Sequence, residues 1–225
     1  MRRWARWAGW AGWACAAALL AGASASALSA QRIAHSAKPA TETAVFSGGC
    51  FWGVQAVFEH VKGVIRAESG YTGGKAGDAD YETVSTGRTG HAESVRVEYD
   101  PSQVTYQQLL DVFFQVAHDP TQLNRQGPDH GTQYRSAIWY TTPAQRSAAV
   151  DYIARLNRGG KLSGPVVTTV KPLDHFYLAE EYHQDYYFTH PDSPYIVYND
   201  VPKVKALKRD FPGLWRENAV LSRTS

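Results

Sequence analysis

Thr43-Ala44-Val45-Phe46-Ser47-Gly48-Gly49-Cys50-Phe51-Trp52-Gly53-Val54-Gln55-Ala56-Val57-Phe58-Glu59-His60 decides how the fold begins. The first five residues form a short apolar run suited to a buried strand, ended by two glycines. From Phe51 the spacing changes. Val54, Val57 and Phe58 fall on one face of a helix over 51–60, with Gly63 as its stop. Cys50 therefore sits where a strand hands over to a helix. Unpaired backbone N–H groups and the positive end of the helix dipole meet there, and both favour the thiolate, the nucleophilic form of cysteine. Gly48 and Gly49 leave room for a substrate to reach the sulfur, and Phe51 and Trp52 put aromatic surface beside it. The competing reading makes the glycines a plain turn and the two aromatics core.

The rest of the chain mixes strands and helices. Strand character is expected over 64–71, 93–99, 134–140 and 166–170. Helices are expected over 105–118, where Leu109, Leu110, Val112, Phe113, Phe114 and Val116 make an apolar face, and over 143–157, opened by Pro143. A short aromatic helix is expected over 179–188. Residues 71–80 form a Gly-rich loop and 119–133 a long polar one. The absence of a strict strand–helix period gives an α+β fold class.

Residues 1–30 read as a secretory signal peptide: Arg2, Arg3 and Arg6, then an Ala/Leu/Trp-rich run to Leu20, then small residues. An uncleaved membrane anchor is the competing reading, disfavoured because the apolar run is short for a span. Beyond residue 30 there are 20 basic and 21 acidic residues, so the charge makes no case for nucleic acid or an anionic membrane as partner. Of the two cysteines only Cys50 lies beyond residue 30. Exported proteins favour disulfides; with one thiol this one has none of its own, and Cys50 is either an inert hydrophobe or a working group. Residues 31–42 are a polar lead-in, 43–198 a catalytic domain, and 199–225 an irregular tail with a basic helical piece near Lys203.

Glu93 is the second informative residue. In Glu93-Ser94-Val95-Arg96-Val97-Glu98-Tyr99 it shares the face of Val95, Val97 and Tyr99. A carboxyl on that face loses hydration, which raises its pKa and suits it to hold and donate a proton. The alternative puts Glu93 at the strand's solvated end. The stretch Gln126-Gly127-Pro128-Asp129-His130-Gly131-Thr132-Gln133-Tyr134-Arg135-Ser136 is dense in polar groups, as loops that build sites often are. Tyr134, in phase with Ile138, is expected to point inward, and Tyr81 does likewise after the Gly-rich loop. Core packing is the competing reading for each tyrosine. Gly70-Tyr71-Thr72-Gly73-Gly74-Lys75-Ala76 lacks P-loop spacing, and the eight histidines lack metal-ligand spacing. Cys50 with His91, His130 or His183 leaves a cysteine-dependent hydrolase open.

Gly49-Cys50-Phe51-Trp52-Gly53, Thr89-Gly90-His91-Ala92-Glu93 with Tyr99-Asp100-Pro101, Asp129-His130-Gly131-Thr132-Gln133-Tyr134-Arg135-Ser136 and Ala179-Glu180-Glu181-Tyr182-His183-Gln184-Asp185-Tyr186 together resemble peptide methionine sulfoxide reductases of the A type. Such enzymes reverse methionine oxidation, one enzyme type per sulfur epimer. The resemblance implies a two-layer α+β sandwich with a ferredoxin-like core and a mixed sheet. It also implies thiol-dependent reduction of methionine S-sulfoxide, free or in proteins, without metal or organic cofactor. By position it makes Cys50 the nucleophile and Glu93 the acid toward the sulfoxide oxygen. Tyr81 and Tyr134 become hydroxyls sharing that oxygen, Asp129 a polar lining residue, and Phe51 and Trp52 the pocket for the substrate's methyl group. His183 is structural support. Relatives often carry further cysteines that resolve the sulfenic acid. Residues 51–225 hold none, so recycling is expected from an outside thiol: a thioredoxin-like exported protein, a glutathione-type thiol or, in the test tube, dithiothreitol. The expected setting is a monomer in a Gram-negative periplasm repairing oxidised exported proteins. A thiol peroxidase or hydrolase using Cys50, and a non-enzymatic module reading apolar side chains, are the competing classes.

Overall fold

Gly48 and Gly49 do end the first strand, and Cys50 does cap the first helix. The structure, a computed structural model, describes residues 41–223. The expected leader and residues 31–40 lie outside the described residues. Glu42, expected in the lead-in, instead opens β1 (Glu42–Gly48), paired with Tyr99.

The strands are β1, β2 (Val64–Thr72), β3 (Ala92–Tyr99), β4 (Arg125–Gln126), β5 (Asp129–His130), β6 (Ser136–Tyr140), β7 (Thr169–Pro172) and β8 (Phe176–Leu178). The helices are α1 (Phe51–Glu59), α2 (Tyr81–Ser85), α3 (Tyr106–Val112), α4 (Pro143–Gly159), α5 (Tyr186–Thr189) and α6 (Val201–Asp210). Six strands form one sheet in the order β7-β6-β1-β3-β2-β8, and β4 and β5 make a separate hairpin. The middle four, β6-β1-β3-β2, are antiparallel neighbours, with α1 between β1 and β2 and α3 between β3 and β6. That is the split βαβ arrangement of a ferredoxin-like core. β7 joins β6 in parallel, which requires a crossover, and α4 supplies it.

One core lies between sheet and helices. Phe46 of β1 stacks on Phe58 of α1 at 5.2 Å and on Phe113, just after α3, at 4.8 Å. The sheet's other face is also covered near the site, by Val45, Ala92, Ala137 and Trp139 backed by Leu173 and Phe176. The Trp139 indole donates to Ser47 at 2.8 Å, and Ser47 meets Ser94 at 2.7 Å. This second cover is why Ser94 is as buried as its neighbour Glu93.

Four expectations are corrected. Tyr134 closes a 3-10 turn (Thr132–Tyr134), and strand β6 starts only at Ser136, because Gly131 at φ 132° turns the chain first. The long polar loop contains the β4–β5 hairpin. The aromatic helix over 179–188 is broken into a 3-10 turn and α5 by Asp185 in the left-handed region, φ 54°. Gln184 there bonds both the N–H and the C=O of Ser69, at 2.9 Å each, as a neighbouring strand would. The irregular tail is part of the fold. The boundary at 198 cuts a π-turn (Ile196–Asp200) that runs into α6, whose Val204 and Leu207 are buried. Trp215 bridges to Val61. Lys205, Lys208 and Arg209 gave the segment its basic look, while the few residues it buries are too sparse to show a period.

Gly49 carries the sharpest local demand. Its φ is +90°, and a Cβ there would come within 2.5 Å of Gln126. Gly49→Ala is therefore expected to cost about 2–4 kcal/mol in urea unfolding, from backbone strain plus overpacking. Gly77→Ala, with open space around it, should fall within about 0.5 kcal/mol of the parent.

Candidate active site

Cys50 has φ −53° and ψ 125°, the extended conformation of a residue just before a helix, and is 7% exposed. No side chain caps α1, so its first amides are free for the site. The Phe51 N–H donates to Glu93 Oε2 at 3.0 Å, and the Trp52 amide, next along the helix, favours negative charge on the Cys50 sulfur. One helix end thus carries the thiol and binds the carboxyl through the very next amide.

Glu93 reaches this place because it lies on the buried face of β3, opposite Tyr71 of β2. It is 3% exposed. Burial, assisted by the charge of Asp129, raises its pKa to about 8 against the opposing Phe51 bond. At neutral pH it carries a proton.

The thiol corrects the sequence expectation. Helix-end amides favour thiolate, yet the Cys50 pKa is raised well above that of a free cysteine. Burial is the largest cause, followed by the charges of Glu93 and Asp200; the Trp52 amide and Lys203 pull the other way and lose. At rest the sulfur is a neutral thiol.

The two tyrosines come from separate elements. Tyr81 opens α2, anchored by its own N–H on Glu180 at 2.8 Å and by the Asp80 cap. Tyr134 ends the 3-10 turn before β6. Both hydroxyls hold their protons more tightly than a free phenol, chiefly through burial, and both feel the charges of Glu93 and Cys50. Asp129, half-buried at the start of β5, accepts the Tyr195 hydroxyl at 2.5 Å.

The aromatic pair divides its labour. Phe51 is 1% exposed and packs on Tyr71 and His183, so it backs the site rather than lining it. Trp52 stays partly exposed. Its indole stacks on Tyr186 at 3.7 Å, stands edge-on to Tyr195, and donates Nε1–H to His183 Nδ1 at 3.1 Å. A tryptophan N–H can only donate, so His183 is the neutral tautomer with its proton on Nε2.

The structure thus brings Cys50, Glu93, Tyr81, Tyr134, Asp129 and Trp52 into one place. Sequence reasoning missed Tyr195, Tyr186, Asp200 and Lys203, all in or beyond the segment read as aromatic helix and tail. The Tyr-x-x-x-x-Asp-x-x-Lys spacing from Tyr195 to Lys203 was the available signal. The hydrolase reading needs a histidine on the thiol. His91 spends its ring on Gly74 and Lys75, His183 on Trp52, and His130 is exposed. Among the described residues no three His, Cys, Asp or Glu side chains are grouped to hold a metal ion.

The profile of the family described as peptide methionine sulfoxide reductase matches residues 42–213. A peptide methionine sulfoxide reductase of Mesorhizobium japonicum is 60% identical over 82% of this chain and 95% of its own length. One from Deinococcus radiodurans is 47% identical over 76% of this chain and 82% of its own length. Among solved structures, methionine sulfoxide reductase A of Corynebacterium diphtheriae matches with a TM-score of 0.61 at 38% identity, over 69% of this chain and 77% of that one. Mxr1 of Saccharomyces cerevisiae in reduced form matches with a TM-score of 0.62 at 31% identity, over 68% and 87%. With a match that runs from the first strand past the last helix, and a thiol, an acid and two phenols gathered at one helix end, the chain belongs to the peptide methionine sulfoxide reductase family.

Proposed function

We propose that the protein reduces methionine S-sulfoxide, free or within polypeptides, to methionine, with Cys50 as nucleophile. The observation that carries this reading is the buried Glu93 carboxyl, bound by the amide of the residue that follows Cys50, where burial favours its protonated form. A sulfoxide sulfur is a poor electrophile until its oxygen is protonated, and this pair supplies acid and nucleophile together.

The sulfoxide oxygen sits among the Glu93, Tyr81 and Tyr134 protons, and the methyl group rests on the exposed part of Trp52. Cys50 attacks the sulfur as its thiolate while Glu93 gives its proton to the oxygen. Oxygen then passes to the Cys50 sulfur. The sulfoxide is reduced by two electrons to the thioether, and Cys50 is oxidised by two to a sulfenic acid. An external thiol attacks that sulfenic acid, releasing water and leaving a mixed disulfide. A second thiol displaces Cys50. Because residues 51–225 hold no other cysteine, the donor acts on Cys50 directly. A thioredoxin-like exported protein or a glutathione-type thiol fits that demand. Residues 1–30 support export to a periplasm-like compartment, with repair of oxidised exported proteins as the role. Among the described residues no helix is long and apolar enough to cross a membrane.

Separated S and R epimers of an N-blocked methionine sulfoxide, with excess dithiothreitol, test the activity. Turnover of the S epimer alone, abolished by Cys50→Ser, is expected; turnover of neither epimer by folded protein overturns the reading.

The pH profile tests Glu93. The reactive pair holds one proton, on the acid, so kcat/KM should rise with pH up to a bend near 8. Glu93→Gln is expected to lower kcat/KM by roughly a hundredfold and to remove that bend. A bend that survives the substitution assigns it to another group. The same carboxyl links to stability. Its folded pKa lies above the unfolded value, so its contribution is fully present below about 4.3 and is lost as pH rises toward 8.

The Trp52–His183 bond exists only while His183 is neutral, and burial lowers its pKa below the usual 6.5. As pH falls through that lowered value, KM should rise while kcat moves less. His183→Gln, which keeps an acceptor but does not titrate, should flatten this acid rise in KM.

A further inference from the structure

The catalytic helix has a gap in its first turn. Gly53 stands three residues after Cys50, and a Cβ there would collide with the Asp200 carboxylate and lie 3.0 Å from Lys203 Nζ. Asp200 is 0% exposed. One of its oxygens bonds Lys203 Nζ at 3.1 Å, and the other has no partner among the described residues. The Lys203 side chain is 19% exposed. A buried pair of this kind costs desolvation on both charges, and a surface pair three residues apart on α6 would brace that helix at less cost. The pair instead lies against the turn that carries the nucleophile.

We infer that Lys203, seated by Asp200 in the gap left by Gly53, is the cation that balances negative charge as it develops on the Cys50 sulfur. This deepens the reductase reading and rests on it. Negative charge appears on that sulfur twice in the cycle: when Cys50 attacks the sulfoxide, and when it leaves the mixed disulfide as a thiolate. The titratable groups gathered around Cys50 and its neighbour Glu93 are Tyr81 from α2, Tyr134 from the 3-10 turn, Tyr195, Asp200 and Lys203 from the C-terminal segment, and Asp129 from the β4–β5 hairpin, which faces Glu93 and Tyr195; with Glu93 from β3 they complete the set. Three of these are acids and three are phenols. Lys203 is the one cation in the set, and it also faces Asp129 and His118. It lowers the Cys50 pKa while Asp200 raises it. The two halves of one ion pair thus act on the sulfur with opposite signs. Lys203 acts through Cys50 and is a positioning residue.

Opposite signs give a test that fold damage does not imitate. In the full-length protein, iodoacetamide alkylation of Cys50 is followed across pH, with its peptide separated from that of Cys15 by mass spectrometry. Asp200→Asn, nearly isosteric, should move the alkylation midpoint down. Adding Lys203→Met in that background, where no buried carboxylate is left unpaired, should move it back up by about one pH unit. Against Asp200→Asn alone, kcat/KM for the S-sulfoxide near pH 7.5 should then fall roughly tenfold with the thiolate fraction. Midpoints that agree between the single and the double variant overturn the inference, as does an Asp200→Asn midpoint that rises. If the midpoints move as stated while no sulfoxide is turned over by the parent, the charge assignment stands and the reductase reading fails.

Discussion

The hydrogen bond from the Phe51 amide to Glu93 is the contact on which the site depends. It joins the first peptide of α1 to the sheet strand that does not adjoin it in sequence, across 42 residues of chain. A buried carboxyl with no partner would carry a heavy desolvation penalty. Here it is met by one of the amides that every helix leaves unpaired at its start. The bond is single, so it partly offsets burial without ionising the acid. A second amide donor on Glu93 would favour the carboxylate and spoil it as a proton donor.

Everything else places those two partners. Gly49 makes the turn that lets α1 start directly above β3, and the Phe46–Phe58–Phe113 stack fixes the height of the helix over the sheet. The Trp139–Ser47–Ser94 chain covers the sheet's far side behind Glu93. Gly53 lets the C-terminal segment approach the same helix turn. Fold and site are one set of constraints: the packing that seats the strand-to-helix corner also buries the two groups and so raises both pKa values.

Much of this was legible in the chain. The corner at 48–50 and the alternation of 93–99 rest on local periodicity, which survives folding, and the burial of Glu93 follows from the second. The phase of Tyr134 with Ile138 points to a strand, whereas Gly131 puts it in a tight turn that brings its ring inward anyway. The helix end alone implies a lowered thiol pKa, and the structure raises it. A helix end is a local feature readable from sequence, but the two carboxylates that add to burial in outweighing it come from β3 and the π-turn before α6, remote in sequence. Asp200 and Lys203 were hidden for the same reason. Their segment buries few residues and shows solvent a basic face, so composition made it look like a tail.

A neutral thiol beside a neutral acid looks poorly prepared for nucleophilic attack, yet the proton count of the reaction explains the arrangement. Thiol plus sulfoxide gives sulfenic acid plus thioether, with no proton gained or lost. The pair starts with one proton on sulfur and one on Glu93, and after oxygen transfer it again holds two, one of them now on the sulfenic oxygen. Burial disfavours charge in the resting state and in the product alike, so it does not oppose the overall step. Charge is needed only in between, on the Cys50 sulfur and the departing oxygen. A low-dielectric site makes fixed groups aimed at those two atoms count for more than they would in water. In the proposed cycle Tyr81, Tyr134 and Glu93 serve the oxygen, and the Trp52 amide and Lys203 serve the sulfur. The burial that raises both resting pKa values is what gives these groups their leverage.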